Sequence, residues 1–182
     1  KYFLTAAAFL KYGNALKVVR VLSGHDNATA DGTGQLIKND DDYDDNYSNG
    51  SLAKGLWVAK YPGSLGNSLK VSMISQSGSD AVFNAWAHKG SFDGAPGTSD
   101  YAVNLGKSNF NDELHVCVID EDGLWTGTAG TVLETFAFVS QASDAKKTDG
   151  TTNYYKDVIN SNSPYIKIET NPSIKTWNEI YL

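Results

Sequence analysis

The feature that most constrains this chain is a pair of apolar, β-branched runs separated by a turn. The runs span residues 114–120 and 132–139, and both are rich in residue types that favour strands. Between them lies Asp122-Gly123, a dipeptide typical of a tight hairpin turn. The sequence therefore predicts an antiparallel hairpin in this part of the chain.

Shorter apolar runs flank the hairpin and are separated by glycine-containing turn signals. From about Leu56 onward the pattern predicts a β-rich region. The predicted elements are strands at 56–61, 68–75 and 81–87, a loop at 89–111, a short helix at 154–160 and an edge strand at 165–169.

The first residues have a different pattern. Apolar residues recur at helical spacing over 2–12, and Gly13-Asn14 provides a natural stop. Residues 16–22 then form a nearly continuous β-branched run, which predicts a buried strand. The chain opens with Lys1 inside the predicted helix, and we therefore expect the sequence to be a piece of a longer protein.

A polar stretch follows, and its densest part, residues 39–46, contains five aspartates. Their mutual repulsion predicts a solvated acidic loop or linker. Calcium is the alternative, since it binds several oxygen ligands. An EF-hand register beginning at Asp40 fails, because Asp45 falls where the glycine belongs and Ser51 where the glutamate belongs. A calcium site of another kind in 39–46 stays open.

Composition excludes several classes of protein. The 182 residues carry a net charge of -6, and the single cysteine, Cys117, cannot form an intramolecular disulfide. The acidic balance disfavours nucleic-acid binding, which depends on lysine and arginine. No apolar run approaches the roughly 20 residues that span a bilayer. We therefore expect neither nucleic-acid binding nor a membrane anchor.

No constellation of residues predicts catalysis. His115 and Cys117 lie two residues apart on a predicted strand, about 7 Å, which is too far for direct activation of the thiol. The other histidines are His25 and His88. The spacing of Gly123, Gly127 and Gly130 does not match a phosphate-binding loop. Paired carboxylates for glycoside hydrolysis stay open, because they come from distant segments. We predict no enzyme activity and assign no catalytic, cofactor or metal residue.

Aromatic residues leave two interpretations open. Four tryptophans and ten tyrosines could line a sugar-binding face, but such residues are equally common in cores and interfaces. Three Asn-x-Ser/Thr triplets matter only if the protein is secreted from a eukaryotic cell. The tryptophans are Trp57, Trp86, Trp125 and Trp177, and the triplets begin at Asn27, Asn46 and Asn49.

Several stretches are distinctive enough to indicate a family. Residues 2–14 (YFLTAAAFLKYGN), followed by 16–21 (LKVVRV), resemble a helix end and strand of the contractile tail sheath proteins of T-even-type (T4-like) myophages. Residues 59–71 (AKYPGSLGNSLKV) resemble the family's Y-P-G-x-L-G turn. Residues 120–134 and 153–166 are similar to later segments of the family, whereas 76–112 carry little of the resemblance.

The resemblance implies an α+β, mostly β fold in three parts. Residues 1–22 would be a helix-strand piece of the inner sheath domain, and 23–55 an acidic polar linker. Residues 56–182 would form a small β-barrel-like or sandwich-like middle domain on the outside of the sheath. Well-known members carry a large protruding domain where this chain has only the acidic stretch.

The resemblance also implies a structural role without cofactors. Subunits would polymerise in six-fold rings as a helical sheath around the tail tube, and contraction would drive the tube through the host envelope. Expected partners are other copies of the chain, the tail tube protein, and the baseplate and tail terminator proteins. The location would be the virion, after assembly in the host cytoplasm. The alternative is a secreted or surface β-rich glycan-binding module.

Overall fold

Strands and helices alternate along a chain that forms two antiparallel sheets. The computed structural model describes residues 2–19, 21, 23–48, 54–75, 80–168 and 180–181. The described strands are β1 (Asn27–Thr29), β2 (Trp57–Pro62), β3 (Leu69–Ser75), β4 (Glu113–Asp120), β5 (Thr131–Ser140), β6 (Ile166–Ile168) and β7 (Ile180–Tyr181). The described helices are α1 (Tyr2–Phe9), α2 (Asp40–Asn46), α3 (Ser64–Asn67), α4 (Asp80–Ala85), α5 (Asp100–Asn104) and α6 (Tyr155–Asn162), with a 3-10 turn at Lys89–Ser91.

The larger sheet has the strand order β5-β4-β3-β7. Its centre is the pairing of β3 with β4, which runs without interruption from Leu69 opposite Asp120 to Ser75 opposite Leu114. Strand β5 completes the predicted hairpin with β4, and two irregularities in register occur along that pairing. The hairpin predicted from the two apolar runs is therefore confirmed.

The connection between β4 and β5 is longer than the predicted tight turn. It runs over residues 121–130 and is organised by the Asp120 carboxylate, which accepts hydrogen bonds from the backbone N–H groups of Trp125 and Thr126. Gly123 has φ +75, and a Cβ there would lie 2.7 Å from the Ala129 nitrogen. Only glycine fits this position, so Gly123 has a structural role in the connecting loop.

The smaller sheet has the strand order β1-β2-β6. Strand β2 leads through the Tyr61-Pro62-Gly63 turn into the short helix α3. Gly66 in this helix packs directly on the preceding backbone, where a Cβ would lie 2.2 Å from the Tyr61 carbonyl oxygen. The turn that connects the two sheets therefore requires glycine at position 66 for steric reasons.

One hydrophobic core lies between the sheets and α6. It is built from apolar residues of both sheets, and α6 contributes Tyr155, Val158 and Ile159. The strands described close no barrel, and the arrangement is a small sandwich-like α+β domain. The predicted fold class is confirmed, as are the strands at 56–61 and 68–75 and the helix at 154–160.

Two predictions for the segment between β3 and β4 are wrong. The strand expected at 81–87 is the helix α4, which ends at Ala85, and the ring of Phe83 packs on the ring of Trp86 just beyond the helix, with centroids 6.4 Å apart. Within the loop expected at 89–111, the 3-10 turn and α5 form. Helix α5 begins at Ser99, whose side chain accepts the Ala102 N–H.

The acidic run is a helix rather than an open loop. Asn39 caps α2 by accepting the Asp42 N–H through its side chain, and three aspartates occupy the first turn, where the helix dipole favours negative charge. Tyr43 is buried beneath the helix with 1% exposure. The charge pattern of the sequence did not indicate that Tyr43 anchors a helix. Residues 27–46 also contribute β1 and α2 to the β-rich part of the chain.

The helix predicted at the start of the chain is present as α1, but the strand predicted at 16–22 is not formed in its described residues. Residues 15–19 and 21 have no regular secondary structure. A strand requires a neighbour with which to exchange backbone hydrogen bonds, and no described strand lies beside this run. Among the described residues, this β-branched run therefore has no strand with which to pair.

Candidate functional site

Among the residues that the structure describes, the N-terminal segment, residues 2–21, carries several strongly exposed apolar side chains. Phe3 is 81% exposed on α1, and Val19 is 86% exposed in the irregular run that follows. The other exposed apolar side chains of this segment are Leu4, Phe9, Leu10, Tyr12, Val18 and Val21. Exposed apolar side chains in this number are typical of interaction sites, since burying one large side chain contributes about 1.5–3 kcal/mol.

The end of α1 positions this surface. Gly13 N–H donates to the Phe9 carbonyl at 3.0 Å, and a Cβ at Gly13 would meet the Phe9 ring at 3.3 Å. The chain therefore turns sharply after the helix and continues as an irregular run. Helix and run together present apolar side chains, and none of the described residues of this segment belongs to the core.

A charged cluster lies on the β-rich part where α2 meets β2 and β6. Lys167 Nζ is 2.9 Å from Asp40 Oδ1, and Lys60 Nζ donates to the Ser163 carbonyl at 2.5 Å. Burial lowers the pKa of Lys60, and the positive charge of Lys167 lowers it further. The hydrogen bond and the charge from Lys167 lower the pKa of Asp40. These contacts attach α2 to the sheet.

Glu134 closes the same cluster from β5. The Ser163 hydroxyl donates to Glu134 Oε1 and accepts the N–H groups of Tyr165 and Ile166. Burial raises the pKa of Glu134, although the Ser163 hydrogen bond and Lys60 oppose the shift. The cluster joins the two sheets through Ser163.

Two buried carboxylates are saturated by hydrogen-bond donors. Asp120 accepts from Ser68 Oγ at 2.7 Å and from the backbone N–H and hydroxyl of Thr126. Asp112 accepts from the N–H and hydroxyl of Ser99 and from the Ser140 hydroxyl. Burial alone would raise the pKa of each carboxyl, but the hydrogen bonds outweigh it and hold both values below the usual range.

These two carboxylates are not placed for glycoside hydrolysis. They flank β4 at its opposite ends, about 25 Å apart at the usual rise of a strand, whereas hydrolytic pairs lie within about 10 Å. Their hydrogen bonds anchor loops, since Asp120 orders the hairpin connection and Asp112 ties α5 to the end of β5. Sequence reasoning missed both, and their only signal was an aspartate at each end of a β-branched strand.

His115 and Cys117 are buried on β4, and neither is activated. The Cys117 thiol donates to the Ser72 carbonyl at 3.6 Å. His115 Nδ1 accepts the Phe138 N–H at 3.0 Å, and its Nε2 is 2.8 Å from the Gly94 carbonyl oxygen, so the neutral ring carries its proton on Nε2. Burial lowers the pKa of His115. The Cys117 side chain is completely buried.

The three tryptophans that the structure describes have separate environments. Trp57 is completely buried in the core, and Trp86 Nε1 donates to Ser72 Oγ at 2.8 Å. Trp125 packs edge-to-face on Tyr61 and Tyr165. Trp177 lies outside the described residues.

The remaining candidates also have structural roles. Asn27 is buried, its side chain bonding the Ala59 carbonyl and the Ile37 N–H, and the Asn46 side chain bonds Asp42, while Asn49 lies outside the described residues. His88 packs edge-to-face on Trp86, and His25 lines a polar surface cavity of about 460 Å³. In the described ranges, no three His, Cys, Asp or Glu side chains converge as metal ligands.

The features that the structure defines are thus an exposed apolar N-terminal segment and a β-rich part whose buried carboxylates, Asp112 and Asp120, are held by hydrogen bonds. Over 132 residues, 71% of its length, the chain is 30% identical to the tail sheath protein of Salmonella phage ViI. The match spans 18% of that relative, less than a fifth of its length. No family model matches the chain. In the described parts, no helix is both long and apolar enough to cross a bilayer.

Proposed function

We propose that this chain is part of a structural subunit of a phage tail sheath. The observation that carries the proposal is the exposed apolar segment 2–21 on a chain similar to a phage tail sheath protein. Such a segment needs a covering partner, and in a sheath that partner is supplied by the rest of the subunit and by neighbouring copies. A sheath subunit is a structural protein of the virion rather than an enzyme.

We propose the domain division expected from the sequence as the frame for this role. Residues 1–22 would complete an inner domain whose remainder lies elsewhere in the subunit, and 56–182 would form the outer domain. Residues 23–55 would connect them, although their described parts already contribute β1 and α2 to the β-rich part. The separation of 2–21 from the core supports this division.

The proposed assembly is helical. Heterologous contacts that do not close on themselves stack identical subunits, here in six-fold rings around a tail tube. The sheath would be assembled in the host cytoplasm in an extended, kinetically trapped state, bounded by baseplate and tail terminator proteins. Contraction would repack the subunits and drive the tube through the host envelope.

The polar groups of the β-rich part support a structural role. The carboxylates of Asp112 and Asp120 are engaged in anchoring loops, and the Cys117 thiol is buried. Charge and hydrogen bonding in this region therefore maintain a rigid shape, which is what a lattice component requires.

The test is negative-stain electron microscopy of the full-length protein with two matched double variants. Val18→Asp/Val19→Asp places charges on the proposed assembly surface, whereas Val82→Asp/Val103→Asp places them at exposed apolar positions of the β-rich part. We expect tubes from the parent and from the second variant, and their loss in the first. Dispersed parent particles that bind sugars would overturn the proposal in favour of a glycan-binding module.

A further inference from the structure

Strand β6 lies at an edge of the smaller sheet, and within the described ranges no strand pairs with its outer side. Lys60 N–H donates to the Tyr165 carbonyl at 2.8 Å, so the Tyr165 carbonyl and the backbone polar groups of Lys167 point toward β2. The backbone groups of Ile166 and Ile168 therefore point away from the sheet. An edge of this kind is a template for pairing with another chain.

Side chains bond these outward-pointing groups instead of a strand. The Tyr43 hydroxyl donates to the Ile168 carbonyl at 2.6 Å, and Asn160 Nδ2 donates to the same oxygen at 3.1 Å. Asn160 Oδ1 accepts the Ile168 N–H at 2.8 Å. Ser163 Oγ accepts the Ile166 N–H at 3.0 Å. The edge is thus closed by groups from α2 and from the end of α6.

Helix α2 depends on this contact as much as the edge does. A seven-residue helix is unstable alone, and its last turn carries aspartates where the dipole favours cations. Tyr43 is its buried anchor. Lys167 strengthens the attachment, with Nζ 4.3 Å from the centre of the Tyr43 ring and paired with Asp40, whose side chain is 76% exposed.

We propose that α2 and Asn160 together guard the β6 edge against antiparallel pairing with a second copy of this chain. An incoming strand would have to displace the Tyr43 hydroxyl and both polar groups of the Asn160 amide from Ile168. It would also bring its own five aspartates toward those of the first copy, and like charges repel. The proposal rests on the contacts of the β-rich part and stands whether or not the chain belongs to a sheath.

The experiment compares two double variants of the 182-residue chain. Tyr43→Phe/Asn160→Ala removes the hydroxyl and amide groups that bond Ile168. The matched control, Tyr47→Phe/Asn162→Ala, removes the same groups from positions that bond elsewhere. The Tyr47 hydroxyl makes only long contacts of 3.3–3.4 Å to residues 35 and 36, and Asn162 bonds the Val158 carbonyl within its own helix.

Two measurements are made on both variants at increasing protein concentration. At low concentration we expect the Ile168 amide to exchange about fivefold faster in the edge variant, since it loses the hydrogen bond to Asn160 Oδ1. Sedimentation velocity should then detect a dimer that increases with concentration only in the edge variant. Protection of the Ile168 amide should return as the dimer forms.

Three results would overturn the proposal. The edge variant could exchange faster yet sediment like the control at every concentration, its Ile168 amide could exchange at the parental rate, or the control could dimerise equally. If the edge double variant loses its near-ultraviolet circular dichroism, the single changes Tyr43→Phe and Asn160→Ala are compared with Tyr47→Phe and Asn162→Ala by the same criteria.

Discussion

The structures of the N-terminal segment and of the acidic run are the reverse of what their compositions predict. Residues 16–21 consist mainly of residue types that favour strands, yet the described ones have no regular structure, and Val18, Val19 and Val21 are exposed. Residues 40–46 contain five aspartates, yet they form a docked helix. The difference lies in available partners, because Tyr43 finds a site on β6 within the chain whereas the β-branched run finds no neighbouring strand among the described residues.

The largest expected difference between the two regions is the effect of removing the Tyr43 side chain, which anchors α2. We expect Tyr43→Ala to lower the free energy of unfolding by about 3 kcal/mol, since it removes a buried aromatic ring and the hydroxyl that bonds Ile168. Tyr12→Ala, at 93% exposure, should change it by less than about 0.5 kcal/mol. Urea unfolding of the two variants measures both values, and equal effects would remove the distinction between the two regions.

The second prediction concerns the buried carboxylate of Asp120. Asp120→Asn should cost about 2 kcal/mol at neutral pH, because several donors lose an ionised acceptor. Its pKa is lower in the folded state, so its contribution is present above the ordinary value of 3.8 and is lost as pH falls through the folded value. The stability difference between parent and variant, measured by urea unfolding against pH, should therefore shrink in strong acid. A difference independent of pH would contradict the assignment.

How much of this fold the sequence predicts depends on where the determining contact lies. The β4–β5 hairpin follows from local residues, because strand propensity and a turn signal act within one segment. The docking of α2 does not, since Tyr43 bonds Ile168 across 125 residues of chain. Similarly, the helix α4 was predicted as a strand, because a short apolar run fits the periodicity of a helix as well as that of a strand. The contact that favours the helix, from Trp86 to Ser72 on β3, is distant in sequence.

In the candidate site, too, some features follow from local residues and others from contacts between distant parts of the chain. The apolar character of residues 2–21 is evident from the sequence, but their exposure is evident only from the structure. The roles of Asp112 and Ser163 could not have been predicted, since each depends on groups brought together from three segments.

The third prediction sharpens the account of the acidic helix. Asn39→Ala removes the side chain that accepts the Asp42 N–H, and loss of such a cap costs about 1 kcal/mol. Amide exchange of residues 43–46 should accelerate about fivefold while exchange in β4 is unchanged. Asn14→Ala, which lies beyond α1 in the exposed segment, serves as the control. Parental exchange in α2 would show that docking alone holds the helix.

The smallest expected effect is a pH dependence centred on His115. Burial lowers its pKa, so the folded state holds the neutral ring and loses stability as pH falls through the ordinary value of 6.5, where the unfolded chain takes up a proton. We expect a loss of up to about 1 kcal/mol between pH 7 and 5.5, since one unit of pKa shift corresponds to about 1.4 kcal/mol. Chemical unfolding of the parent and of His115→Gln measures it, and an identical slope for both would exclude His115 as the cause.

The most direct test of the central claim is hydroxyl-radical footprinting of the N-terminal segment. The 182-residue chain in solution is compared with the full-length protein in its assembled form, with Phe3 and Val19 as reporters. We expect high reactivity in the isolated chain and strong protection in the assembly, with Val82 and Val103 changing less. Equal reactivity of Phe3 and Val19 in both samples would contradict the claim that the rest of the subunit and neighbouring copies bury this segment.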